Sequence, residues 1–405
     1  MTRYNVAMDS HGLVDLKARL NTVNNDRRMR IVHIITSLAS GGAQAILTTL
    51  VLKTRTDVEH TVVSMLDDGV HGETLRDRGV NVIALNMERG RITIGSFFSL
   101  LRILHSARPD VVQTWMYHAD LLGGVAARLS GHMGIVWGIR HSDLNVGCNR
   151  TMTRGVARFC ALLSRWIPAL IACCSEEAAR VHQNLGYRGD KFRIIPNGYD
   201  LSAFRPDGAA RARVRSEWRI EKQELLIGLV GRWNAHKDHA NLCRALSLLT
   251  AGGMPFRCVL VGPNMTKANP DVLALLRGSG LENRTILAGR RIDIPAVMNA
   301  LDIHVLSSVG EAFPNVVAES MACGTPCVVT DVGDAALIVQ HPGWVVPPRD
   351  PTALAKAIER AVSDVRREGR DAIGNRCRER IATDFSLEKM VTAYKTLWTE
   401  VNRKR

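Results

Sequence analysis

The feature that most restricts the fold is an alternation: short β-branched runs, each followed by a stretch of helical spacing, in a series that runs through once and then restarts. The first run, 30–37 (RIVHIITS), stops at Ser40-Gly41-Gly42, after which Ala45, Leu47, Leu50 and Val51 recur on a helical repeat. Runs at 60–65, 80–85, 111–114, 135–139, 170–174 and 192–195 continue the series. Asn197-Gly198 and Pro206 break it as a linker. It resumes with 225–230 (LLIGLV), 257–261, 285–287, 303–306, 326–330 and the short 344–346. Strands alternating with helices imply βαβ units and parallel sheets covered on both faces. The expected fold class is α/β, with two doubly wound domains in tandem. Ligands then belong at the carboxyl ends of the strands, and the crevice between the domains is the default site.

A chain of 405 residues can bury two such cores. The expected divisions are a disordered leader or over-long gene start at 1–28, a first domain at 29–200 and a second at 201–380. A terminal stretch, 381–405, has amphipathic helical spacing from Leu387 to Val401 and is expected to brace the N-terminal domain. Hydrophobic residues at 46% and charged residues at 23% suit an ordinary soluble globular protein. No segment approaches the roughly 18 uninterrupted apolar residues of a membrane span, since 161–174 is broken by Arg165 and Pro168. The start of the chain has no apolar signal-peptide core. Nine cysteines without CxxC or zinc spacing read as reduced thiols, so a cytoplasmic location is expected.

The net charge of +14 suits nucleic acid, anionic lipid or phosphorylated metabolites. Aromatic residues are only 5% and do not interleave with the basic clusters, which argues against nucleic acid. Arg150, Arg154 and Arg158 recur every four residues beside Phe159, Leu162 and Leu163. That spacing fits either a solvated charged face or a basic helix resting on an anionic membrane, here the inner face of the plasma membrane.

Chemistry-bearing residues gather at the predicted strand ends. Gly41-Gly42 stands before a helix, as an anion-receiving turn or a plain tight one. Arg232 and Lys237, five residues apart after 225–230, suit a diphosphate, although solvated cations have the same spacing. The stretch 310–333 (GEAFPNVVAESMACGTPCVVTDVG) places Glu311 in a loop and Glu319 in a helix beside one crevice. Carboxylates accept paired hydroxyls of a sugar or ribose ring; a helix-dipole partner and a salt bridge are the plainer alternatives. His118 follows 111–114 and either orients a substrate or is satisfied locally beside Asp120. Arg140-His141-Ser142-Asp143 fits an anionic acceptor or a loop ion pair equally well.

The stretch from Glu311 to Gly333, with seven residues between the two glutamates, closely resembles the signature of the retaining family 4 glycosyltransferases. The resemblance also takes in Gly41-Gly42-Ala43-Gln44, 115–120 (WMYHAD), 195–200 (IPNGYD), Gly231-Arg232 with Lys237, and 343–348 (GWVVPP). Gln44 departs from the pattern, where the family often has Glu. The resemblance implies a GT-B fold, two Rossmann-like domains facing a cleft, with the acceptor on the first and the nucleotide sugar held mainly by the second. It assigns Glu319 to the ribose hydroxyls and Glu311 to the donor sugar. The amides around Phe313, Asn315 and Val316 fall to the sugar or its phosphate, and Arg232 and Lys237 to the leaving diphosphate. It sets the base near Gly289, Arg290 and Arg291, and His118 near the reacting sugar. It implies no metal and no cofactor, protein cations taking the place of magnesium. The donor is a nucleotide diphosphate sugar, UDP foremost, and the acceptor a glycan or polyprenyl-linked surface polysaccharide. Two other readings stay open: a nucleotide-sugar epimerase or phosphorylase of the same architecture, and a non-catalytic basic protein that binds nucleic acid or lipid.

Overall fold

The computed structural model describes residues 27–88, 94–141 and 151–403. The proposed leader thus lies almost wholly outside the described residues, as do Ser142, Asp143 and Arg150. Two parallel sheets organise the chain. The first holds seven strands: β1 (Met29–Ile35), β2 (Val58–Ser64), β3 (Asn81–Ala84), β4 (Val111–Trp115), β5 (Ile135–Ile139), β6 (Leu170–Cys173) and β7 (Phe192–Ile194). The second holds six: β8 (Leu226–Val230), β9 (Arg257–Val261), β10 (Thr285–Gly289), β11 (Ile303–Leu306), β12 (Cys327–Thr330) and β13 (Val345–Val346). Their orders are β3-β2-β1-β4-β5-β6-β7 and β10-β9-β8-β11-β12-β13, with every neighbouring pair parallel.

In each sheet the winding reverses once, between β1 and β4 and between β8 and β11. At such a switch point the connections leave to opposite faces, and the loops beyond the strand ends part into a crevice. β4 (VVQTW) and β5 (IVWGI) are buried at every position, because helices cover both faces.

The polar side chains inside this core are matched. Trp115 Nε1 donates to His33 Nδ1 at 3.2 Å, His33 Nε2 meets His60 Nδ1 at 3.0 Å, and His60 Nε2 meets Thr54 Oγ1 at 2.8 Å. One directional set of tautomers satisfies the whole line with both rings neutral. Burial favours that state and takes His60 down to about 3.

The last helix, Leu387–Arg403, lies on the first sheet. Met390, Tyr394, Leu397, Trp398 and Val401 join the apolar cluster of β1, β2 and Trp115, and Trp398 Nε1 donates to Gln113 Oε1 in β4 at 3.3 Å. The chain therefore crosses between the sheets twice, and the crossings run side by side. Tyr199 N donates to the Phe385 carbonyl at 2.9 Å, and Leu387 N to the Tyr199 carbonyl at 3.0 Å. The eight described cysteines are buried and none is disulfide-bonded. Among the described residues no helix is long and apolar enough to cross a membrane.

Candidate active site

A cleft of about 680 Å³ opens where the two switch points face each other. Its first-sheet wall comes from the loops after β1 (Gly41, Gly42, Gln44), β4 (Met116) and β5 (Arg140, His141). The second-sheet wall comes from the loops after β8 (Arg232, Asn234, Lys237) and β11 (Glu311, Phe313, Asn315).

Two hydrogen bonds to backbone carbonyls register the β8 and β11 loops. Val309 N donates to the His236 carbonyl at 2.8 Å, and Ser307 Oγ to the Lys237 carbonyl at 2.7 Å. That alignment brings Lys237 Nζ to 2.6 Å from Glu311 Oε1, each side chain only 18% exposed. Ser308 Oγ donates to the same carboxylate oxygen at 2.8 Å. Arg232 stands exposed on the wall beside them, without a carboxylate partner among the described residues.

The helices Gly42–Thr54 from the first sheet and Asn315–Ala322 from the second begin at the cleft without a side-chain cap. Their first-turn amides carry partial positive charge and lack intrahelical partners. With Arg232 and Lys237 they make the cleft a receptor for an anion larger than one carboxylate. The walls come close at one point, where a Cβ on Gly42 would lie 2.9 Å from Asn315 Nδ2.

Asn315 is itself held across the crevice. Its Oδ1 accepts from Asn197 Nδ2 at 2.8 Å and from the Tyr199 hydroxyl at 2.6 Å. Asn197 Oδ1 in turn accepts from Arg140 at 2.8 Å. The Arg140 guanidinium lies 4.6 Å from the Trp115 ring centre and also donates to the Tyr394 hydroxyl. Arg140 thus ties the last helix to the cleft rather than standing free for an acceptor, while His141 is exposed beside it, 6.2 Å from Tyr117 between ring centres.

Glu319 sits one helical turn beyond Asn315 and is half-buried. Its carboxylate takes no hydrogen bond from a described residue, and burial pushes its pKa up to about 7. The Phe313 ring packs on Phe385 in the core, so that residue can offer only its backbone.

Other predicted residues fall elsewhere. His118 lies in the first turn of Tyr117–Leu129, half-buried, and is not part of the cleft wall, which Met116 supplies there. Gly289 ends β10, two strands from β8, and neither it nor Arg290 nor Arg291 lines the cleft. Arg291 is taken up by Glu217 and, at 2.8 Å, by Asp293. The sequence singles out none of Asn197, Tyr199 and Tyr394 as a site residue. The first two stand in 195–200, a stretch that carries the family resemblance and also the linker signal Asn197-Gly198. Among the described residues, no group of three or more His, Cys, Asp or Glu side chains is placed to hold a metal ion.

Known proteins share this architecture. The crystal structure of Anabaena Alr3699/HepE in complex with UDP and glucose superposes with a TM-score of 0.80 at 20% identity, covering 92% of this chain and 100% of the other. A family model described as Glycosyltransferase Family 4 matches residues 40–203, and one described as Glycosyl transferases group 1 matches 224–364. The protein is a glycosyltransferase of the GT-B fold.

The UDP-Gal:alpha-D-GlcNAc-diphosphoundecaprenol alpha-1,3-galactosyltransferase of Escherichia coli is 23% identical over 320 residues, 76% of this chain and 79% of that one. The putative glycosyltransferase EpsF of Bacillus subtilis is 24% identical over 317 residues, 76% and 80%. The chain belongs with these bacterial glycosyltransferases, a Family 4 domain followed by a group 1 domain.

Proposed function

We propose that the protein is a retaining hexosyltransferase that moves a sugar from a UDP-sugar to a polyprenyl-linked or glycan acceptor in surface-polysaccharide assembly. The observation that carries this reading is the Lys237–Glu311 pair beside Arg232 at an uncapped helix start. The first sheet with the last helix forms the acceptor side, and the second sheet the donor side. Arg232, Lys237 and the amides of 313–316 receive the diphosphate, and Glu311 accepts from donor-sugar hydroxyls. Glu319, with open acceptor positions, takes the ribose hydroxyls. As the bond from the sugar's anomeric carbon to the phosphate oxygen breaks, its electron pair passes to the diphosphate, and the cations stabilise that charge. The acceptor oxygen bonds the same face, and its proton goes to the departing phosphate. His141 and the cleft rim near Arg140 meet the acceptor. His118 orients the reacting sugar and Gly289–Arg291 lie near the base in this reading, although neither they nor Glu319 line the cleft itself. The E. coli relative's name, with its UDP-Gal donor and diphosphoundecaprenol-linked acceptor, supports this choice of substrates.

The test is release of nucleoside diphosphate from a panel of nucleotide sugars with and without lipid-linked acceptors, with the product's anomeric configuration read by NMR. Turnover that needs no acceptor, or needs free phosphate, would favour an epimerase or phosphorylase. Inverted product would remove the retaining assignment.

Glu319 gives this reading a pH signature. A carboxylate accepts two hydroxyl hydrogens at once, whereas its protonated form loses one acceptor position. Nucleoside diphosphate affinity, taken as the ratio of wild type to Glu319→Gln, is expected to grow as pH rises through about 7. Calorimetric titration between pH 6 and 8.5 measures it, and a constant ratio would remove Glu319 from the ribose.

The reaction is placed at the cytoplasmic membrane face, and the Thr151–Leu163 helix supports that placement. Phe159 and Leu162 are 50% and 55% exposed and share a helical stripe with Met152, and Trp166, in the turn just after the helix, is 59% exposed. Residues 144–175 contain four arginines and no carboxylate. Apolar side chains flanked by cations suit an anionic lipid surface. Flotation with phosphatidylglycerol vesicles is expected to recover the wild type. Phe159→Asp/Trp166→Asp should bind at least about tenfold less, and phosphatidylcholine vesicles should recover neither protein. Equal recovery of both proteins would contradict the assignment.

A further inference from the structure

The Glu176–Asn184 helix of the first sheet is capped from two sides. Ser175 Oγ accepts from Ala178 N at 3.0 Å, within the same segment. The other first-turn amides look outward: Glu176 N donates to Asp334 Oδ2 at 3.3 Å and Glu177 N to Asp334 Oδ1 at 3.5 Å. Asp334 belongs to the loop after β12, in the second sheet, and is buried. It stands at the start of its own short helix, Ala335–Val339, yet does not cap it.

The backbone behind that carboxylate supports the Glu311 loop. Asp334 N donates to the Ala312 carbonyl at 3.1 Å. Gly333, at φ +53°, packs so tightly that a Cβ would lie 2.4 Å from the carbonyl oxygens of both Glu311 and Ala312. Thr330 Oγ1 donates to the Ser308 carbonyl at 2.7 Å, on the other side of the same loop. Ala312 packs against apolar clusters of both sheets. The loop that presents Glu311 therefore lies between the 330–334 turn and the first sheet, with Asp334 joining the two.

We propose that Asp334 is a positioning residue for sugar transfer: by completing the cap of the Glu176–Asn184 helix across the two sheets, it holds the Glu311 loop in register with the acceptor wall. It touches no substrate. A helix start with open amides is a specific receptor for a carboxylate, so the contact forms only when the two halves meet in this arrangement. Glu311 then acts at a fixed distance from whatever the first sheet binds. The nucleotide groups of the second sheet do not depend on the contact, so binding and turnover should separate. The inference rests on the glycosyltransferase reading for its rate measurement but not for its contact measurement.

Two kinds of substitution test it. Asp334→Ala removes the carboxylate. Glu176→Pro removes one amide donor and leaves the helix intact, because proline is favoured at the first helical position and Ser175 before it is already extended (φ −152°, ψ 152°). Glu176→Ala keeps the amide and serves as the control. Hydrogen exchange at the Glu176 and Glu177 amides reads the contact without any substrate, and should rise in Asp334→Ala. With the donor the wild type uses, kcat is expected to fall about tenfold in Asp334→Ala and by a smaller factor in Glu176→Pro. It should be unchanged in Glu176→Ala, while nucleoside diphosphate affinity stays within about twofold throughout. The double variant should be no slower than Asp334→Ala alone. Full kcat in Asp334→Ala, additive losses in the double variant, or an equal loss of nucleotide affinity would each overturn the proposal. Unchanged exchange would overturn it even if the donor has been misassigned.

Discussion

Replacing Glu311 or Arg232 with alanine is expected to slow sugar transfer at least about a hundredfold, the scale of a lost transition-state contact. The two substitutions test the site in different ways. Arg232 is exposed and pairs with no described carboxylate, so its removal leaves no buried group stranded. A loss of rate there reads directly on the substrate's charge. Glu311 is the harder case, because Lys237 Nζ lies 2.6 Å away at 18% exposure and would lose its partner. Circular dichroism and nucleotide affinity must therefore accompany the rate. A charge-neutral Glu311→Gln keeps an acceptor oxygen and should recover part of the loss. Nucleoside diphosphate release from the preferred donor is the measurement. Wild-type turnover in either folded alanine variant would remove that residue from the site.

The second large effect concerns stability. Trp398→Ala is expected to cost about 3–5 kcal/mol, because a fully buried indole leaves a cavity that the sheet cannot close. Gln113 Oε1, buried in β4, would also lose the indole N–H. Removing residues 387–403 takes Met390, Tyr394, Leu397 and Val401 as well, and uncovers one face of β1 and β4. That truncation should leave the first sheet unable to fold, while the second sheet keeps its own clusters. Urea titration followed by tryptophan fluorescence measures the point variant. Limited proteolysis of the truncation should yield a resistant fragment from the second half. A truncated chain that unfolds in one transition at the wild-type midpoint would contradict this account.

The strands were legible because strands covered on both faces read as uninterrupted apolar, β-branched runs. Each run read from the sequence overlaps an observed strand. The differences lie at the ends. The run at 30–37 stops at Ile35, because Ser37 Oγ accepts from Ala39 N at 3.1 Å and turns the chain. At the other extreme, 285–287 extends to Gly289, whose left-handed φ of +63° ends β10 after a register shift.

The site was legible where two neighbouring strands carry its residues. Arg232, Lys237 and Glu311 follow β8 and β11, which are adjacent in the sheet. His118 does not line the cleft for a local reason: Met116, at φ +72°, turns the start of the helix so that its own position, two residues earlier, meets the cleft. Asp334 was invisible as a cap because its sequence context suggests the helix it begins. Its partners lie 158 and 157 residues earlier in the chain. Arg140 reads in the sequence as an anion ligand or as half of a loop ion pair, and only the folded position of Tyr394 shows its guanidinium donating to that hydroxyl.

The helix at the chain's end fills the core of the half that is made first. On the ribosome, β1 to β7 emerge long before Met390 to Val401 do, and the surface those residues will cover must wait exposed. Folding during synthesis is therefore expected to complete in reverse, the later half settling before the earlier one can close. A nascent chain arrested near Asp200 should recruit holding chaperones, and should release them only when Met390 to Val401 have left the tunnel.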